Sequence, residues 1–202
     1  MLRESSFTIS TQWNGKPLKD KEKVKIILKG FEDSSDVLLR IESPFYNNPI
    51  PNGTPGQPLF GLWEYEVVEA FFLNKDEEYL EVEIGPYGHH IVLFLKGKRN
   101  ILRHSYPLKV TSTREGNRWT GEALIPGDYF PPKVSKFNSY AVHNINGQRR
   151  YLALYPTDGS TDKVEFHDLR FFKDLDVGAF SPKLNEVKKM SEVWLSALKG
   201  AY

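Results

Sequence analysis

Apolar residues recur at every second position along most of this 202-residue chain. That spacing fits a β-strand, whose successive side chains point to opposite faces, and does not fit a helix, which repeats near 3.6 residues. Phe7 and Ile9 alternate with Thr8 and Ser10, and Val37, Leu39 and Ile41 share a face opposite Arg40. Val24, Ile26 and Leu28 alternate with Lys25, Ile27 and Lys29 in the same way. Residues 66–73 read EVVEAFFL, apolar on both faces apart from two glutamates, as a central strand covered on both sides should be. Residues 79–84 put Leu80, Val82 and Ile84 on one face and Tyr79, Glu81 and Glu83 on the other. Residues 91–95 are apolar throughout. Trp119, Gly121, Ala123 and Ile125 share a face, as do Phe137, Ser139, Ala141, His143 and Ile145, and 151–155 closes the set.

Turn signals at 74–77, 85–88, 115–117 and 146–148 join these segments as hairpins. The chain is therefore expected to be all-β, an antiparallel β-sandwich of about nine strands over residues 1–180. A C-terminal α-helix over 181–202, packed on the same domain, is expected to follow. Ser181 can cap it and Pro182 can take its first position, where the missing N–H costs nothing. Leu184, Val187, Trp194, Leu195 and Leu198 then fall on one face, and Gly200 can end the helix. Residues 44–61 form the one long irregular stretch, with five prolines and three glycines. Loops of that length inside a domain tend to carry function.

Composition removes several function classes. Lys and Arg number 27 against 26 Asp and Glu, so no broad field draws nucleic acid or an anionic membrane. No run of about 18 apolar residues exists to span a membrane, and residues 1–10 lack the basic start and apolar stretch of a signal peptide. The absence of cysteine excludes a disulfide scaffold, a thiol nucleophile and thiolate-bound zinc, and points to a cytoplasmic location.

The densest polar and aromatic region runs from Leu62 to Glu83. Trp63, Glu64, Tyr65, Glu66 and Glu69 lie within it, followed by Tyr79, Glu81 and Glu83 on one strand face. Adjacent carboxylates repel unless cations, donors or raised pKa values relieve them. Such a cluster can bind calcium with carbonyl oxygens, or hydrolyse a glycosidic bond if two carboxyls stand about 5 to 9 Å apart. It can also hold sugar hydroxyls beside aromatic rings, or pair with lysine and arginine as an ordinary strand face. His89 and His90 are neighbours and point to opposite faces of a strand, while His167-Asp168 places a carboxylate beside an imidazole. No Gly-x-Ser-x-Gly elbow, His-Glu-x-x-His motif or P-loop occurs.

Residues 62–72 (LWEYEVVEAFF), 79–88 (YLEVEIGPYG), 118–126 (RWTGEALIP), 137–140 (FNSY) and 151–156 (YLALYP), followed by Phe166-His167-Asp168, stand in a telling order. In order and spacing they resemble the core of the family 9 carbohydrate-binding-module-like sandwich, over about residues 20 to 175. Nearly the whole chain also resembles an uncharacterised animal protein family of similar length, through Trp63 to Asn74 and the Tyr-Phe-Pro-Pro stretch at 129–132. The first resemblance implies a site in which two tryptophans sandwich a terminal sugar. The first matches Trp63, a ligand-contacting glutamate matches Glu69, the second tryptophan falls at Phe166, and an arginine falls near Glu83. The expected function is thus a non-catalytic carbohydrate-binding-like module. Trp63 and Phe166 stack on the ligand, Glu69 accepts from its hydroxyls, Glu66, Tyr79, Glu83 and His167 complete the site, and the 44–61 loop walls one side. Neither catalytic residues nor a metal set is assigned, and calcium remains a side expectation. Two other readings stay open: a structural or protein-interaction domain that has lost the sugar site, and an enzyme acting on a sugar or small polar metabolite through Glu66, Glu69, Glu83 or His167.

Overall fold

The computed structural model describes residues 3–159 and 161–200. The chain first lays down strands β1 (Glu4–Ile9), β2 (Thr11–Gln12), β3 (Val24–Gly30) and β4 (Val37–Pro44). After the long loop come β5 (Val67–Leu73), β6 (Glu78–Ile84), β7 (His90–Lys96), β8 (Ile101–His104) and β9 (Lys109–Glu115). Then follow β10 (Arg118–Ile125), β11 (Lys136–Ile145), β12 (Gln148–Ala153) and β13 (Lys173–Asp174). Short helices α1 (Val177–Phe180), α2 (Pro182–Asn185) and α3 (Glu192–Lys199) end the described chain. Two sheets result. The smaller runs β1-β3-β4-β10-β9; the larger runs β2-β12-β11-β5-β6-β7-β8, with β13 on β11. The strands pair antiparallel, and together the sheets make the β-sandwich that the alternation predicts.

The inner faces meet in a core of Ile26, Leu28, Leu39, Ile41 and Ala123 from the smaller sheet and Val68, Ala70, Phe72, Leu80, Val82 and Phe94 from the larger. Trp119 packs into this core with its ring over Gly121, where a Cβ would lie 2.7 Å from Trp119 Cζ3. Only glycine allows that approach. The opposite face of the smaller sheet is polar: Arg40 bonds Glu42 at 3.1 Å and, directly across the strand pair, Glu122 at 2.6 Å.

The larger sheet is covered on its outer face too. Val67, Phe71, Leu73, Tyr79, Leu93, Leu95, Tyr140 and Val142 form a second buried cluster with Leu62 and Phe172. Trp63, Phe166 and Leu169 pack against it. This explains why 66–73 is apolar on both faces, since β5 lies between two cores.

The C-terminal segment is helical but not one helix. Ser181 caps α2 by accepting from Leu184 N at 3.4 Å, with Pro182 at its first position. The chain then leaves the helix, and Val187 O accepts from Lys133 N at 3.2 Å. A second cap starts α3: Ser191 Oγ accepts from Trp194 N and donates to Asp128 O at 2.7 Å. Trp194 is fully buried, stands edge-on to Phe94 and donates Nε1–H to Tyr129 O at 2.8 Å. Residues 201 and 202 of the expected helical segment, and residues 1 and 2 of the sandwich segment, lie outside the described residues. Among those described, no helix is long and apolar enough to cross a membrane.

Candidate functional site

A cavity of about 600 Å³ opens on the outer face of the larger sheet. Its floor comes from side chains that period two turns outward: Tyr151 of β12, Val142 of β11, Glu69 of β5, Glu81 of β6, and Leu93 and Leu95 of β7. Register sets their rows. Val142 pairs with Tyr151, Tyr140 with Glu69, Glu69 with Glu83, and Glu81 with Leu93.

Aromatic rings stand at the walls. Trp63 sits on a single 3-10 turn, Leu62–Glu64, entered through Gly61 in the left-handed region (φ 86°). Arg149 fixes that turn by donating to Trp63 O and, at 3.0 Å, to Glu64 O. The same guanidinium also bonds the Glu64 carboxylate at 3.2 Å. Phe166 stacks flat on Tyr140, with centroids 3.9 Å apart and planes 11° from parallel, and meets Tyr151 edge-on. Phe166 is thus backed by the Tyr140 ring, and the turn that carries Trp63 is fixed by Arg149. Phe60, 53% exposed, stands edge-on to Trp63 and extends the aromatic surface outward.

Three carboxyls lie under this space. Glu69, Glu81 and Glu83 are 2%, 3% and 0% exposed. No lysine, arginine or histidine forms an ion pair with any of them among the described residues. No backbone, hydroxyl or amine donor reaches Glu81 Oε2 or either oxygen of Glu83. Glu81 and Glu83 act directly on each other, an arrangement that a shared proton makes favourable. Burial pushes all three carboxyls up, Glu81 to about 8. The negative charge of Glu81 adds to the rise at Glu69, and the charges of Glu69 and Glu81 add to it at Glu83. Arg149 and Arg99 pull Glu69 and Glu81 back only partly. Burial thus favours the protonated form of these carboxyls, and a protonated carboxyl can donate as well as accept a hydrogen bond.

His167 also lines the cavity. Its Nδ1 lies 2.9 Å from the Tyr79 hydroxyl, which donates to Gly97 O at 3.2 Å. The tyrosine hydroxyl thus bridges the imidazole and the Gly97 carbonyl. Burial pushes the His167 pKa down to about 4, helped by the charge of Arg99, so the ring is neutral. Glu165 braces the segment: it accepts from His167 N at 3.1 Å and pairs with Arg99 at 2.9 Å and Lys98 at 3.2 Å.

Of the residues that the sequence proposes for the site, Trp63, Glu69, Phe166 and His167 line the cavity together. Tyr79 and Glu83 lie behind it, one bonded to His167 and the other beside Glu69. Glu66 turns elsewhere. Its two oxygens accept from Tyr46 N at 3.0 Å and Asn48 N at 3.2 Å, so it pins the base of the long loop. Asn48 ties that base to β11 through Asn144, and Tyr46 stacks on His143 at 3.7 Å. The loop itself, 44–61, supplies none of the lining residues and reaches the rim only through Phe60. Val164, Phe166, His167 and Arg149 wall the cavity instead.

Glu81, Arg99, Arg149 and Tyr151 line the cavity without having been in the expected set. Glu81 carries a signal in the sequence, since it alternates with Tyr79 and Glu83. Arg149 carries none, because its role depends on β12 lying beside β11 and reaching a turn 85 residues earlier. Among the described residues, no three His, Asp or Glu side chains converge as metal ligands.

No protein-family model matches the chain. The UPF0462 protein C4orf33 of Homo sapiens is 41% identical over 197 residues, covering 94% of this chain and 96% of that protein. Among solved structures, a Bacteroides uniformis protein described as a "putative carbohydrate-binding protein" superposes with a TM-score of 0.62. It has 16% identity and covers 85% of each chain, a likeness of fold. A family 9 carbohydrate-binding module from Caldicellulosiruptor kristjanssonii, in complex with cellotriose, aligns with a TM-score of 0.43 and 14% identity, over 78% of this chain and 72% of that one.

Proposed function

The chain belongs to the UPF0462 family, and we propose that the cavity makes it a non-catalytic carbohydrate-binding module. The observation that carries this reading is the pairing of buried carboxyls Glu69 and Glu81 with the wall rings Trp63 and Phe166 in one open space. A pyranose has an apolar face suited to an aromatic ring and hydroxyls at its edge that need partners. The rings stack on the sugar, Glu69 and Glu81 bind its hydroxyls, and His167 offers a neutral imidazole. The fold likeness to a protein described as a "putative carbohydrate-binding protein" supports the reading. No catalytic role is assigned to His167, whose Nδ1 is committed to Tyr79. We place the module in the cytoplasm, on the absence of cysteine.

Calorimetry with mono- and disaccharides, after a glycan array, tests it. Saturable binding that weakens at least about tenfold in Trp63→Ala, equivalent to about 1.4 kcal/mol, is the expected result. No saturable binding, or binding unchanged in Trp63→Ala, would sink the reading. One observation favours a protein partner instead: Ile50 and Phe60, 63% and 53% exposed, both sit on the long loop. Under that alternative, replacing residues 50–60 abolishes capture of a stable partner and leaves sugar titrations silent.

A further inference from the structure

The charges around the cavity are unevenly matched. Each cation at the rim already has its own carboxylate: Arg149 pairs with Glu64 at 3.2 Å, and Arg99 with Glu165 at 2.9 Å. The floor carboxyls have no such partner. Glu81 lines the cavity, is 3% exposed, and its Oε2 meets no donor. Glu69 lines it too, and Glu83 stands directly across the strand pair from Glu69, with no backbone, hydroxyl or amine donor on either oxygen. A neutral sugar supplies hydroxyl donors but no positive charge, so it leaves the buried acids in the protonated form that burial favours. An ammonium group supplies three donors and the missing charge at once. The aromatic walls are compatible with it, because ring faces attract cations. A metal ion fits less well, since no three side chains of the right kind converge on one point among the described residues.

Resting on the carbohydrate reading above, we propose that the ligand is a sugar bearing a primary ammonium group, which enters against Glu81 and Glu69 between Trp63 and Phe166. The amine takes the place of the proton that the floor carboxyls otherwise hold. The sugar ring stacks on the aromatic walls, and its remaining hydroxyls face the rim.

Calorimetry of the full chain with glucosamine, glucose and N-acetylglucosamine at one pH near neutrality tests this. Glucosamine is expected to bind at least about tenfold tighter than the other two, with the preference collapsing toward unity in Glu81→Gln. Glu69→Gln serves as a second variant, and melting curves establish that each is folded. Equal binding of the three sugars, or a preference for glucose, overturns the ammonium assignment while leaving the carbohydrate reading intact. A glucosamine preference unchanged in both variants overturns the assignment to this floor. Failure of all three sugars to bind overturns both readings. A rise in melting temperature with calcium chloride that EDTA reverses, and that Glu81→Gln removes, overturns the assignment in favour of a metal ion.

Discussion

At the scale of single residues, the site rests on polar groups placed where burial makes them costly. Glu83 is the sharpest case, fully buried with no backbone, hydroxyl or amine donor on either oxygen. Its folded-state pKa is raised, so stability is fully present below the usual carboxylate range and falls as pH rises through the elevated folded value. Glu83→Gln removes the titration. It is expected to raise the melting midpoint at pH 8 and to change it little at pH 5, as thermal denaturation at the two pH values would read. An equal shift at both would show that packing, not charge, sets the effect. The Tyr79 hydroxyl serves both His167 Nδ1 and Gly97 O. Tyr79→Phe therefore orphans two groups at once and should cost about 1 to 3 kcal/mol in urea unfolding. The sequence carried part of this picture. Trp63 and Glu69 are six residues apart, and Phe166-His167 stands out as an aromatic beside a titratable ring. Arg149 was not legible, because nothing near it in the chain announces Trp63 or Glu64 as partners. Glu66 looked like its neighbour Glu69, yet it precedes β5 and spends both oxygens on the backbone of the loop.

At the scale of elements, alternation marked the strands well because each buries one face or two against a core. Tyr79, Glu81 and Glu83 fall opposite Leu80, Val82 and Ile84, as period two demands. The same kind of pattern concealed the break between α2 and α3. Leu184, Val187, Trp194 and Leu198 all pack on the sandwich, so the apolar spacing runs on through a gap made by backbone bonding. Lys133 N takes the Val187 carbonyl and Ser191 opens a new helix, a tertiary choice that helical spacing does not record. Ser191→Ala removes both that cap and the bond to Asp128 O, and is expected to lower stability by about 1 kcal/mol in chemical denaturation. Gly30 marks a closer contact. A Cβ there would strike the Phe180 carbonyl and lie 2.7 Å from Ser181 Cα, because the α1–α2 corner rests on the backbone of β3. Gly30→Ala should destabilise by about 1 to 3 kcal/mol. The same substitution at exposed Gly116 would serve as control, with only the smaller strain of its left-handed φ of 58°.

At the scale of the whole molecule, two sets of buried groups pull stability in opposite directions as pH changes. Burial holds His90, His143 and His167 at about 4 against an unfolded value near 6.5. Their contribution is present above about 6.5 and is lost as pH falls toward 4. The floor glutamates act the other way: theirs is present below the usual carboxylate range and is lost as pH rises toward about 8 for Glu81. A melting series from pH 4 to pH 9 should therefore pass through a maximum and decline on both flanks. In Glu83→Gln the alkaline flank should flatten while the acid flank stays. The carboxyl row has a further consequence, for how the chain finds its pairing. In β5 and β6, cavity-facing and core-facing residues alternate one by one, so a hairpin mispaired by a single residue would exchange the two sets. If β6 were the strand turned over, Glu81 and Glu83 would enter the core beside Phe72 and Phe94 while Leu80 and Val82 were expelled from it. A mispaired hairpin would carry the cost of burying those acids among apolar side chains, so the acids beneath the cavity also penalise the wrong strand register.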